Sequence, residues 1–273
     1  MTVTLGNRFL SSQIGVLMAV TLDVVDGVAC VTIDRPEVLN ALDLETGRAW
    51  SSAISSAVEQ ETVKAVMLTG SGSAFCAGGD LEAISGQPGS YIRELAEVVG
   101  HGIVALRNSP KPVIASVAGV VAGGGLGIFL SSDVAVASEG AKFGALYSNV
   151  GLTPDLSVTA QLADAIGERR ALDLILSPRM LTAREACEWG LVSEVVPSDQ
   201  LNSRVRQIAA SWVNGPTEAF GAAKQLVRGR GARSFEEQLS NEAATIERMF
   251  LSEDSRALID TFLSRAASRK PSD

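Results

Sequence analysis

Three short apolar runs constrain the fold most: Lys64-Ala-Val-Met-Leu-Thr69, Pro112-Val-Ile-Ala-Ser-Val117 and Ser132-Asp-Val-Ala-Val-Ala137. None keeps a polar residue at every second position, so they read as strands covered on both faces. Helical patterns lie between them, from Asp43 to Val58 and from Ser90 to Asn108, and a short apolar helix follows the glycines at 123–125. Strand and helix in alternation imply an α/β core. Ahead of it, residues 20–34 alternate around Asp26-Gly27, the mark of a two-residue hairpin. After about residue 158 the pattern becomes helical, at 158–166, 168–176, 182–188, 199–213, 216–229, 234–251 and 253–265. Such helices need a surface for their apolar stripes, either their own core or a neighbouring subunit.

Composition narrows the function classes. The 273 residues suffice for one large domain, and 46% hydrophobic against 20% charged residues fits a packed core. A net charge of −8 argues against a nucleic-acid partner, which needs clustered Lys and Arg. No apolar run approaches the roughly 20 residues of a membrane span. Cys30, Cys76 and Cys187 are odd in number and far apart. They suggest neither a disulfide framework nor a metal site, and they fit a reducing, cytoplasmic setting. Residues 1–18 read as an N-terminal extension without a signal-peptide cleavage pattern, with Met18 as an alternative start.

Two glycine turns carry the chemistry. One is Gly72-Ser-Ala-Phe-Cys-Ala-Gly-Gly-Asp-Leu81, after the strand ending at Thr69, with Asp80 placed to cap a helix. The other is Val117-Ala-Gly-Val-Val-Ala-Gly-Gly-Gly-Leu-Gly127. It matches neither the dinucleotide pattern G-x-G-x-x-G nor a phosphate loop with Lys-Ser/Thr. Taken singly, each is a close strand–helix connection. Together, two backbone N–H groups from two strand ends can converge on one oxygen and stabilise an enolate or tetrahedral oxyanion. No Ser or Cys nucleophile stands beside a His. The single His101 lies within a helical pattern as a surface or packing residue, and nothing activates Cys76.

These residues resemble the crotonase superfamily, the enoyl-CoA hydratases and isomerases. Arg35-Pro-Glu-Val-Leu-Asn-Ala-Leu42 looks like the family's early loop around coenzyme A, and Ala74-Phe-Cys-Ala-Gly-Gly-Asp-Leu81 is similar to its first oxyanion segment. Gly119 with Gly123-Gly-Gly125 is similar to the second, and Ser132–Ser138, Lys142-Phe-Gly144, Leu181–Ala186 and Gly190-Leu-Val192 continue the match. The resemblance covers about residues 20–270. It implies a spiral of ββα units over residues 19–198 and a helical C-terminal region over 199–273. That region would assemble homotrimers or dimers of trimers, with Phe220–Val227 and Phe250–Phe262 between subunits. It also implies an acyl-CoA substrate, no further cofactor and no metal. Backbone N–H groups of Gly79 and Gly124 would grip the thioester carbonyl. Binding contacts would come from Arg35, Val38, Asn40, Ala41, Ala74, Ala77, Gly78, Asp80, Leu81 and Gly123. Lys224 would serve a phosphate or a solvated helix face, and Tyr91, Ile92 and Leu95 would line an acyl pocket.

The resemblance breaks at both hydratase glutamates, whose positions here hold Gly127 and Tyr147. Water activation needs a titratable group in reach; glycine has none, and a phenol with pKa about 10 is a poor base at neutrality. One acid remains, Asp155, in Gly151-Leu-Thr-Pro-Asp155, similar to the isomerase branch where an Asp here is acid/base. The plain alternative is that Asp155 caps the next helix. The branch's Gly-Gly two residues later is replaced, so the backbone there is expected to shift or the pocket to narrow. An acyl-CoA double-bond isomerase with Asp155 as proton shuttle is the first expectation. An atypical hydratase or thioester hydrolase using Asp155 or Tyr147, and a weakly catalytic coenzyme A-binding paralogue acting by assembly, are the alternatives.

Overall fold

The computed structural model describes residues 19–267; the extension expected over residues 1–18, Met18 included, lies outside the described residues. The chain enters as an antiparallel hairpin, β1 (Val20–Val25) and β2 (Val28–Ile33), with Val25 opposite Val28. Asp26 and Gly27 turn it with φ of 49° and 78°, the paired positive values that match strand twist in a two-residue turn. The Asp43 carboxylate accepts from Thr46 N and starts α1 (Leu44–Glu59), a cap of about 1 kcal/mol.

Three turns of similar build follow. The first is β3 (Ala65–Gly70), β4 (Ala74–Cys76), α2 (Leu81–Ile84) and α3 (Gly89–Asn108). The second is β5 (Val113–Val117), β6 (Val120–Ala122) and α4 (Gly124–Leu130). The third is β7 (Val134–Ser138), β8 (Lys142–Gly144), α5 (Val158–Ile166) and α6 (Glu168–Ile175). The chain then runs through β9 (Leu181–Thr182), α7 (Ala183–Glu188), β10 (Glu194–Val196), α8 (Leu201–Val213), α9 (Thr217–Gly229), α10 (Phe235–Phe250) and α11 (Glu253–Ala267).

Each turn lays one strand in each of two sheets, ordered β1-β2-β3-β5-β7-β10 and β4-β6-β8-β9. Within the repeat, β3, β5 and β7 pair in parallel, as do β4, β6 and β8. The architecture is thus an α/β spiral of ββα units, as the resemblance implies. Its second sheet was not visible as strands in the sequence. Two- and three-residue strands are too short to show a period, and Val120–Ala122, inside the glycine-rich stretch, is one of them.

Helices α1 and α3 cover one face of the six-stranded sheet over a core that includes Trp50, Ile54, Val99 and Leu106. On the other face α8 packs Leu201 and Val205 against Ile114, Val136 and Val196. The helical region expected from residue 199 therefore begins with a helix that belongs to the core packing. Helices α10 and α11 differ: they pack on α9 and on each other, and Phe235, Ile246, Phe250 and Phe262 stay 63–75% exposed. His101 is an exposed residue of α3.

Candidate active site

The spiral brings the two glycine turns together because β4 and β6 pair in parallel, with Cys76 opposite Val121. Their C-terminal ends therefore lie side by side, and α2 and α4 start from the same edge. Gly125 has no room for a side chain, since a Cβ there would sit 2.2 Å from Cys76 O. Beneath the turns Phe129 packs between Phe75 and Phe143, ring centroids 6.3 and 5.2 Å away. A Cβ at Gly78 would lie 3.2 Å from Gly124 N, so the turns are in contact. In the ladder that holds the first turn, Ala77 N donates to Leu39 O, Leu42 N to Gly78 O and Asp80 N to Leu42 O, skipping the Gly79 amide. Gly124 is the first residue of α4, where the helix offers its amide no acceptor.

Gly79 and Gly124 line a cavity of about 260 Å³ together with Asp155 and Tyr147. Its other walls are mostly apolar, including Leu42, Ile84, Leu95 and Leu156, with Asn149 as a further polar side chain. Asp155 and Tyr147 are the only ionisable residues of this lining. Tyr147, 7% exposed, donates its hydroxyl to Asp155 Oδ1 at 2.6 Å. Burial raises the Asp155 carboxyl above its ordinary range, opposed by the Tyr147 hydrogen bond. Tyr147 is driven far upward by burial and by the adjacent Asp155, so it stays a neutral donor. Cys76, fully buried, is pushed to about 12 by desolvation and is inert as a thiolate.

Asp155 does not cap α5. The N-cap is Ser157, without a side-chain cap bond, and the Asp155 carboxylate turns to Tyr147 instead. The backbone that the missing Gly-Gly put in question keeps a left-handed course: Leu156 and Ser157 have φ of 48° and 64°. Such values cost about 1–2 kcal/mol per non-glycine residue. Leu156 also explains Gly127, because a Cβ there would fall 2.5 Å from Leu156 Cβ and 2.6 Å from Leu156 O.

Arg35 is occupied within the chain: it pairs with Asp43 Oδ2 at 3.2 Å and Asp80 Oδ2 at 3.1 Å, and donates to Ala41 O at 2.7 Å. It ties the loop to the first glycine turn, and Asp80 also accepts from Ala83 N as the cap of α2. Asn40 is fully buried, with φ of 59°, and donates to Ser71 O and Ala74 O. Of the expected binding residues, Ala77, Gly79, Leu81, Gly123 and Gly124 line the cavity. Arg35, Val38, Asn40, Ala41, Ala74, Gly78 and Asp80 are not among its lining residues.

Lys224 is neither a free phosphate ligand nor solvated. Its side chain is 7% exposed and its ammonium meets Asp133 Oδ2 at 2.9 Å, Lys111 O at 2.8 Å and Leu106 O at 3.0 Å. Three donors on three acceptors leave none for a ligand. Tyr91 likewise misses the cavity, its hydroxyl accepting from Leu44 N at 3.2 Å, whereas Ile92 and Leu95 reach it. The lining residues Leu146 and Asn149 carried no sequence signal. Three larger clefts lie elsewhere, about 510 Å³ around the mutually paired Asp133, Lys224 and Arg228, about 760 Å³ between the hairpin and α8, and about 350 Å³ between α3 and α5. None of them includes the glycine turns. Among the described residues no group of His, Cys, Asp or Glu is placed to hold a metal ion, and no helix is long and apolar enough to cross a membrane.

Paired glycine turns at one edge of a ββα spiral, above an apolar cavity, define a crotonase-like protein, and solved structures share the fold. The enoyl-CoA hydratase of Mycobacterium smegmatis matches with a TM-score of 0.85 and 28% identity, over 93% of this chain and 98% of that one. The chain belongs to the family described as enoyl-CoA hydratase/isomerase, whose model matches residues 23–270. Among its relatives is a Rhodobacter capsulatus protein named "Probable enoyl-CoA hydratase", 32% identical over 89% of this chain and 94% of the relative. The 1,2-epoxyphenylacetyl-CoA isomerase of Escherichia coli is also 32% identical, over 88% and 93%.

Proposed function

We propose that this chain is an enoyl-CoA isomerase that moves a double bond in an acyl-CoA thioester. One observation supports it above others: the cavity shared by the two glycine turns contains a single carboxylate, Asp155. Adding water across a double bond by the two-carboxylate route needs a second titratable group, and Gly127 leaves no space for one. Moving a proton needs one base that takes it and returns it.

The thioester oxygen of a 3-enoyl substrate accepts from the Gly79 and Gly124 amides. Asp155 removes a proton from C2, and the electron pair passes into a dienolate whose oxygen carries the charge. Protonated Asp155 then gives that proton to C4, leaving the C2–C3 double bond conjugated with the thioester. Burial makes Asp155 a stronger base, and Tyr147 orients it. No cofactor is consumed. The relatives' names, which include both hydratase and isomerase, agree with an acyl-CoA substrate.

For assembly we propose a homotrimer or dimer of trimers, supported by the apolar faces of α10 and α11. For location we propose the cytoplasm, supported by three free thiols. The test of activity is to mix the protein with 3-enoyl-CoA and follow the conjugated thioester absorbance. Formation of 2-enoyl-CoA, lost in Asp155→Asn, is expected. No interconversion, with coenzyme A thioester binding unchanged in Asp155→Ala, defeats the isomerase function. Hydration of 2-enoyl-CoA abolished by Asp155→Asn marks an atypical hydratase, and binding without turnover marks a paralogue that works by assembly.

A further inference from the structure

Leu156 stands against both Gly124 and Gly127, next to Asp155. Consider the point where a Cβ on Gly124 would stand. Asp155 Oδ1 is 3.8 Å from it, Leu156 Cδ1 3.1 Å and Leu42 Cδ1 3.9 Å. On the Gly124 side the Asp155 carboxylate therefore has two leucine methyl groups for neighbours. On its other side Leu156 presses Cβ and carbonyl against Gly127 so closely that glycine alone fits there. Leu156 is 9% exposed and holds this place with a left-handed backbone, as does Ser157 after it. An unfavourable backbone kept by a non-glycine residue in a site points to a role in that site.

A water held between Gly127 and Asp155 would need two to four polar partners, and on that side Leu156 presents methyl groups and Gly127 no side chain. We propose that Leu156 is a specificity-determining residue that keeps water from the Gly127 side of the Asp155 carboxylate, so that the site transfers a proton instead of adding water. This rests on the isomerase function proposed above. With water admitted, Asp155 would take a proton from it, the oxygen would bond to C3, and the proton would pass to C2, giving a 3-hydroxyacyl thioester. Leu156 forbids that competing path by occupying the space.

The test compares wild type, Leu156→Gly, Leu156→Ala and Ser157→Gly on 3-enoyl-CoA and 2-enoyl-CoA, with products separated by chromatography. Leu156→Gly removes the isobutyl group and suits the left-handed backbone. It is expected to raise hydroxyacyl-CoA formation relative to isomerisation by tenfold or more. Leu156→Ala keeps the Cβ against Gly127 and should give a smaller rise. Ser157→Gly relaxes the same turn without opening the wall, so its product ratio should equal that of wild type. An unchanged ratio in both folded Leu156 variants overturns the role of Leu156 while wild-type isomerisation stands. A wild-type protein that moves no double bond overturns the isomerase function, and this inference with it.

Discussion

The Tyr147 hydroxyl donates to Asp155 Oδ1 at 2.6 Å, across a 3-10 turn and a glycine turn that separate them by eight residues. A carboxylate is planar, so holding one oxygen restricts where the other points. In the proposed reaction this contact is the basis for expecting Tyr147 to position Asp155.

Tyr147→Phe is expected to lower kcat about tenfold with little change in KM, on the order of one hydrogen bond to a charged group, about 1.5 kcal/mol. That hydrogen bond also lowers the Asp155 pKa against burial. Its loss should move the acid limb of the kcat/KM profile to higher pH. A profile that falls in height without moving would reduce Tyr147 to a packing role.

Asp155→Asn should cost about 10²–10⁴ in kcat/KM, the usual worth of a general base. It should also raise Tm at neutral pH. The sign follows from burial: the folded pKa lies above the unfolded one, so ionisation at higher pH opposes folding. The difference in Tm from wild type should be full above the folded pKa and vanish below the unfolded one. A Tm difference independent of pH would contradict the burial account.

Lys224→Met is expected to destabilise by about 2 kcal/mol in urea denaturation. It leaves Asp133 with Arg228, which donates at 2.8 Å, and frees the Lys111 and Leu106 carbonyls. KM for the acyl-CoA should stay within about twofold, since a committed ammonium holds no phosphate. A tenfold rise in KM with an intact fold would return Lys224 to the binding site.

Phe250→Asp with Phe262→Asp should convert the assembly to monomers in light scattering, because both rings are exposed here and would be buried between copies. A wild-type protein that scatters as a monomer at micromolar concentration would refute the proposed trimer.

Long elements were legible in the sequence because they carry periods. The hairpin at Asp26-Gly27, the covered strands β3, β5 and β7 and every late helix lie where pattern places them, within about two residues. Strands β4, β6, β8, β9 and β10 were not legible, since two or three residues contain no period and are strands only through their neighbours. The glycine spacing indicated two turns, but β4–β6 pairing brings them into contact.

Sequence by itself thus determined the α/β core, the two turns and the acid Asp155, while the family resemblance implied the spiral. Only tertiary structure decided what the charges and the leucine do. Arg35 and Lys224 look like phosphate ligands until Asp43, Asp80 and Asp133 are seen beside them. Leu156 looks like an ordinary apolar residue ahead of the replaced Gly-Gly until it is found filling the space over Gly127. The reason is physical: a residue's type sets which interactions it can make, while burial and the distance to partners far along the chain set which one it makes.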